Sequence, residues 1–140
     1  MDIAVKVTLA ASGIFLFVGM IGGVLKYRGI MASSEHQAHP YIDIAHRAAL
    51  LYSFAALVMA ELLKYSPYSD AVQLTITCVP LFFFAAAVLQ YFKLGLEGGT
   101  TNQFEEHNFN TTWFMWFLII GEVGGVGAIL WGFITTQFLV

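Results

Sequence analysis

Four long apolar stretches, separated by short polar ones, set the pattern of this chain: about Ile3 to Leu25, Ile44 to Leu63, Ala71 to Leu94 and Thr111 to Phe138. Each reaches the roughly 20 residues that a helix needs to cross the hydrocarbon core of a bilayer. The pattern therefore predicts an all-α integral membrane protein, a single four-helix transmembrane bundle over residues 1–140. In the link Lys64-Tyr65-Ser66-Pro67-Tyr68-Ser69-Asp70, Pro67 ends one helix and Ser69 or Asp70 is placed to cap the next, which makes the second and third helices an antiparallel hairpin. Longer connections are expected from Lys26 to Asp43 and from Lys93 to Asn110.

Composition points the same way. Of the 140 residues 59% are hydrophobic and 11% charged, with a mean hydropathy of +0.75, outside the range of a soluble domain of this size. Ala32-Ser33-Ser34 resembles a signal-peptide cleavage site. The apolar run before it is longer than a signal sequence carries, and Lys26 and Arg28 intervene, so the first helix is expected to be retained. One cysteine, Cys78, excludes an intramolecular disulfide, and a net charge of -3 with six basic residues gives no nucleic-acid footprint. Lys26, Arg28, Arg47 and Lys93 against Lys6 and Lys64 would place the first and third loops in the cytoplasm. If Arg47 and Lys93 are kept for binding, the remaining cations balance and the orientation stays open.

Gly19 and Gly23 in the first helix, and Gly121 and Gly125 in the fourth, are small residues four apart, the spacing that lets membrane helices approach closely. Their expected role is packing within the bundle. Pro80 is expected to free a carbonyl one turn back and to kink the third helix. Phe82 to Phe84 pass around that helix, to lipid and to the core alike. Trp113 and Trp131 fit an interfacial belt, and Trp116, about a turn deeper, belongs either to that belt or to a pocket lining.

Ionisable groups inside a membrane are costly, which makes them functional candidates. Glu61 pairs with Lys64 at i,i+3 and reaches the boundary, whereas Glu122 has no local partner and is left to be protonated, to bond another helix or to transfer protons. His46 stands at the mouth of the second apolar stretch, where an imidazole nitrogen can hold a metal or a haem iron, with Arg47 beside it for an anionic group. Tyr52 lies about 120° around the helix from His46 and roughly 9 Å further along, a separation that a ligand as wide as a porphyrin spans. His36, His39 and His107 fall in loops. His36-Gln37-Ala38-His39 is a pair at metal-binding spacing without a third ligand nearby, a weak zinc candidate. No phosphate-binding glycine loop, Ser-His-Asp arrangement or nucleophile elbow is present in the sequence.

With Ala45-His46 opening the second helix, Tyr91 near the end of the third, Asn102-Gln103-Phe104 in the loop that follows and a glycine-rich last helix, the chain resembles the styrene oxide isomerases and, more distantly, the hydroxylaminobenzene mutases. The likeness covers most of the chain beyond the first helix. The 45-residue step from His46 to Tyr91 fits the family, and the step from Tyr91 to Asn102 is shorter here. The resemblance implies a homotrimer in the bacterial inner membrane that holds ferric haem b between neighbouring copies. His46 would be the axial metal ligand and Asn102 a further cofactor-binding residue, while charge and location alone make Arg47, with Lys93 or Arg28, the candidates for binding the propionates. It implies Lewis-acid opening of a small apolar aryl epoxide and a 1,2-hydride shift to the aldehyde, with Tyr91 orienting the oxygen. The family carries an asparagine six residues after the histidine, where this chain has Tyr52. Tyr52 would then be a second catalytic residue, or would close the sixth iron position and leave a haem protein without turnover: a redox or gas-binding module, or a subunit of a larger complex. A bundle without cofactor, or a small transporter working through Glu122, is the remaining alternative.

Overall fold

The computed structural model describes residues 1–139. It is all helical: α1 spans Ile3–Ala32, α2 Pro40–Leu63, α3 Asp70–Glu97 and α4 Trp113–Gln137, with a 3-10 turn at Gln103–Glu105 before α4. All four α-helices are long and apolar enough to cross a membrane, and the chain is a multi-pass membrane protein by that pattern.

Helix ends differ from the apolar boundaries because helix continues into the polar interface. At 30 residues and a rise of about 1.5 Å each, α1 is roughly 45 Å long and exceeds a hydrocarbon core of about 30 Å. Its last turns therefore carry Lys26 and Arg28 beyond the core, and the first connection shrinks to residues 33–39. Lys26 Nζ reaches Asp43 Oδ1 at 2.6 Å, tying the end of α1 to the start of α2. Helix α2 begins at Pro40, earlier than Ile44, since proline suits a first helical position and His39 Nδ1 accepts the Tyr41 N–H at 3.2 Å. Helix α3 runs to Glu97 and stops at Gly98, whose φ of 69° is the left-handed conformation that glycine adopts freely. Ser69 precedes α3 without a side-chain cap bond. The expected Glu61–Lys64 pair forms, and it holds the Lys64 ammonium above its ordinary pKa.

Helix α1 packs mainly on α2, α2 on α3, and α3 on α4. Smaller contacts join α1 to α3 and α2 to α4, while α1 and α4 do not meet among the described residues. Helices α2 and α3 are thus the centre, flanked on opposite sides by α1 and α4. The inner face of α2 is a run of small buried residues, Ala45, Ala49, Ser53, Ala56 and Ala60, against which the larger Val5 and Phe15 of α1 and Leu81 and Phe84 of α3 are buried.

Both glycine pairs pack inside the chain. A Cβ on Gly19 would lie 3.2 Å from the Leu50 backbone nitrogen and closer still to its side chain; one on Gly23 would lie 3.1 Å from the His46 ring. On α4, a Cβ on Gly125 would lie 2.7 Å from Pro80 Cδ and 2.8 Å from the Ile76 carbonyl oxygen. Ile76 is four residues before Pro80, so this oxygen is the one the proline ring leaves without an N–H. Helix α4 is seated on that bare carbonyl. Trp113, Trp116 and Trp131 all face outward, 66%, 63% and 58% exposed, so Trp116 joins the aromatic belt rather than a pocket. Phe84 is buried, Phe82 faces outward and Phe83 packs on Phe114, as a run passing around the helix requires.

Gly124 has open space where Gly125 has none. Gly125→Val is expected to destabilise the fold by about 2 kcal/mol, the cost typical of overpacking, and Gly124→Val to leave it unchanged. Thermal unfolding of the two variants in one detergent checks the contrast.

Candidate histidine and tyrosine site

His46 sits nearly two turns into α2, half-buried, with its ring laid on α1 over Gly22 and Gly23. Its Nδ1 is 2.7 Å from the Gly19 carbonyl oxygen. A carbonyl only accepts, so Nδ1 carries the proton and donates it, and Nε2 keeps its lone pair. That Nε2 makes no hydrogen bond among the described residues. The ring is therefore fixed in tautomer and rotation by the helix packed against it, with one nitrogen left able to bind.

Tyr52 and Tyr91 come together elsewhere. With Ile44, Arg47, Ala48 and Leu51 they line an open cavity of about 260 Å³ between α2 and α3. At about 100° per residue, the α2 members of this set centre roughly opposite His46 on the helix. The Tyr52 ring is held by stacking on Phe84, with centroids 4.1 Å apart and planes 11° from parallel, and it also meets Phe15. Tyr52 is thus a packed residue whose edge reaches a cavity, and within one chain it does not share a site with His46. Arg47 is engaged as well. Its Nη2 lies 2.8 Å from Asp43 Oδ2, while Lys26 takes the other carboxylate oxygen. At 63% exposure the guanidinium keeps donors to spare for a second anion.

The third loop holds the other residue the sequence singled out. Asn102 Oδ1 accepts the Phe104 N–H at 3.1 Å and caps the 3-10 turn. Asn102 lies at a cavity of about 380 Å³ together with Gln90, Gln103 and Glu106, and not beside His46. What docks this loop is a residue that sequence reasoning missed. Tyr41 Oη accepts the Gln103 N–H at 2.7 Å, and the Tyr41 ring lies stacked with both Tyr91 and His39, with centroids 6.0 and 6.1 Å apart. His39, Tyr41 and Tyr91 form a ladder that links the start of α2, the end of α3 and the loop. The only signal in the sequence was an aromatic residue beside a helix cap, which is too common to single out.

The zinc candidate does not assemble. His39 is committed to its cap, His36 is exposed with a φ of 54°, and no three His, Cys, Asp or Glu side chains converge among the described residues. Glu122 is half-buried on α4, and its Oε1 is buried without a hydrogen bond.

Tyr41→Phe leaves the Gln103 N–H without its acceptor. A cost of about 1–3 kcal/mol is expected, with faster amide hydrogen exchange in residues 100–106 and unchanged exchange in α1; equal exchange in both proteins would contradict the docking role. Comparison with family models, with curated proteins and with solved structures gives no match.

Proposed function

We propose that this chain binds haem b through His46 and works, as a homotrimer in a bacterial inner membrane, as an isomerase of a small apolar aryl epoxide. One observation carries this reading: the hydrogen bond from His46 Nδ1–H to the Gly19 carbonyl at 2.7 Å. Metal-binding histidines characteristically donate the far ring nitrogen to a carbonyl or carboxylate, which fixes the tautomer and raises the basicity of the ligating nitrogen. An unpartnered Nε2 at the membrane boundary fits that role.

Ferric haem, when bound, supplies an electrophilic iron that draws on an epoxide oxygen so that a 1,2-hydride shift gives the aldehyde. The residues of the chain do the rest. His46 would hold the iron through its free Nε2. Arg47, already shared with Asp43, offers its free donors to a carboxylate at the polar boundary. Tyr91 Oη makes no hydrogen bond among the described residues, which leaves it to orient a substrate oxygen. The surrounding lipid excludes water. Because His46 and the tyrosine cavity lie on opposite faces of α2, one flat ligand meets both only across two copies. A head-to-tail contact of that kind closes into a ring when repeated by rotation, as a trimer requires.

Tyr52 favours a second reading. Its ring edge shares the cavity with Tyr91, at the position where the resembling isomerases have an asparagine. A phenol there suits a haem protein without turnover, in redox, gas binding or a larger complex.

The purified wild-type protein is expected to show a stoichiometric Soret band and to convert styrene oxide to the aldehyde with no added cofactor. His46→Ala is expected to lose at least nine-tenths of the haem, and Tyr91→Phe to keep the haem while kcat falls about 10²-fold, the scale of a positioned acid–base group. Full haem retention in His46→Ala overturns the axial assignment. Haem without isomerisation, joined to a ferric spectrum with both axial positions filled, favours the second reading.

A further inference from the structure

Two polar side chains are shut inside the bundle with atoms that nothing else in the chain satisfies. Thr77 of α3 is 0% exposed, and Gln73, one turn before it on the same face, is 4% exposed. Thr8 and Ser53, the other buried aliphatic hydroxyls, donate to carbonyls of their own helices, the usual settlement for a hydroxyl in hydrocarbon. Thr77 Oγ1 does not, and it has no hydrogen-bond partner among the described residues. Gln73 is half settled. Its Nε2 donates to the Tyr68 carbonyl in the α2/α3 turn at 2.9 Å, and its Oε1 is buried without a donor. The line continues into the span. Ile76, next to Thr77, has the carbonyl that Pro80 leaves without an N–H, and Gly125 of α4 is seated on it. Glu122 lies three residues from Gly125, about 4.5 Å along α4. Its Oε1 is the remaining side-chain atom of the four spans, among the described residues, that is buried and unpartnered.

An unmet polar atom in hydrocarbon costs about 1–3 kcal/mol, and a cost incurred at Gln73, Thr77 and Glu122 along one line points to a partner from outside the chain. Water fits, because it both donates and accepts and is held inside proteins by two to four polar groups. Helical positions four apart are separated by about 6 Å, twice a hydrogen-bond length, so one water bridges Gln73 Oε1 and Thr77 Oγ1. We propose that Gln73 and Thr77 hold a short file of water that carries protons from the α2/α3 hairpin side of the membrane to Glu122. Protonation of Glu122 forms one O–H bond on its carboxylate and breaks one on the adjoining water. That proton is replaced along the file from solvent at the hairpin, and no electron moves. At the entrance Asp70 is an exposed carboxylate in the first turn of α3, while Glu61 is paired to Lys64. Helices α3 and α2 are the ones packed on α4, and the charged or titratable groups lining the groove between them are Arg47, paired to Asp43, and the phenols Tyr52 and Tyr91. The path uses neither His46 nor a cofactor and stands apart from the haem reading.

Infrared spectroscopy of the full chain in nanodiscs tests the path. The carboxylic-acid C=O band that disappears in Glu122→Gln is followed while the solvent is switched from H2O to D2O. The wild type is expected to show that band and to exchange its proton for deuterium. Thr77→Val, similar in shape but without the hydroxyl, is expected to slow the exchange about tenfold, the scale of one hydrogen bond, and Thr77→Ser to restore it. Melting separates held water from a dry contact. A dry, unpaired hydroxyl is destabilising, so its removal raises the melting temperature, whereas removing a water-bridged hydroxyl leaves it equal or lower. Thr77→Val is therefore expected to melt no higher than the wild type, and a higher melting temperature overturns the water. Exchange that is unchanged in Thr77→Val, or that is slowed by Tyr91→Phe instead, overturns entry from the hairpin. No band lost in Glu122→Gln overturns Glu122 as the end of the path.

Discussion

The approach of α1 to α2 is the contact on which the candidate site rests. Lipid chains are as apolar as leucine, so two membrane helices gain little by hiding apolar surface from them and must gain from close packing and hydrogen bonds instead. Here both partners are pared down. Gly19 lies against Leu50, Gly22 and Gly23 lie against His46, and Ala45, Ala49 and Ser53 are buried on α2; the Ser12 hydroxyl donates across the seam to the Ser53 carbonyl at 2.8 Å. Only at that separation does the His46 ring lie flat enough on α1 for Nδ1 to reach the Gly19 oxygen. The tautomer of the histidine is therefore a consequence of the small residues on both helices, not of any feature of α2 alone.

A second constraint is the cost of unpaired polar groups in hydrocarbon. Most are settled locally: Thr8 donates to Ala4, Ser53 to Leu50, Thr75 to Ala71 and Thr136 to Gly132, each to a carbonyl three or four residues back. Beyond Gln73 and Thr77, two are not. The Ile76 carbonyl freed by Pro80 is covered by the bare backbone of Gly125, which contributes at most a weak Cα–H contact. Glu122, one residue after Gly121 on the same helix, has a buried oxygen with no donor at all. A carboxylate so placed, with no cation paired to it among the described residues, is cheaper in its neutral acid form. The polar irregularities of the span thus gather on the α3/α4 side, away from His46.

The number of helices, their order and the hairpin were legible because each depends on the summed hydropathy of some 20 residues, which single substitutions scarcely alter. The helix ends were not. Lys26, Arg28, Pro40 and Glu97 look like loop by hydropathy, yet helix pays no penalty for them in the interface, and Lys26 even gains Asp43 there. Within the site, the angular separation of His46 and Tyr52 followed from helix geometry alone. What lies between them did not, because the Phe84 ring that stacks on Tyr52 and the Gly19 carbonyl that fixes His46 come from positions 32 residues later and 27 earlier in the chain. Tyr41 was missed for the same reason: its partners, Tyr91 and Gln103, are assembled only by the fold.

The order of the helices also bears on what a single copy can accomplish. With α1 and α4 out of contact, the central pair α2 and α3 is covered by one helix on each side and left open along the rest. His46 has α1 as its one wall; Tyr52 and Tyr91 have the α2/α3 groove as theirs, and that groove is open on its outer side. A ligand bound at either place would touch protein on one face and lipid on the other. Lipid offers neither a second ligand to a metal nor a hydrogen bond to a substrate, so chemistry that needs two faces has to recruit the second from another protein surface. The surface of this chain that carries the Tyr91 phenol and a spare guanidinium is the one opposite His46, and in the proposed trimer a rotation that brought it against the histidine of a neighbour would supply both walls with a single repeated contact.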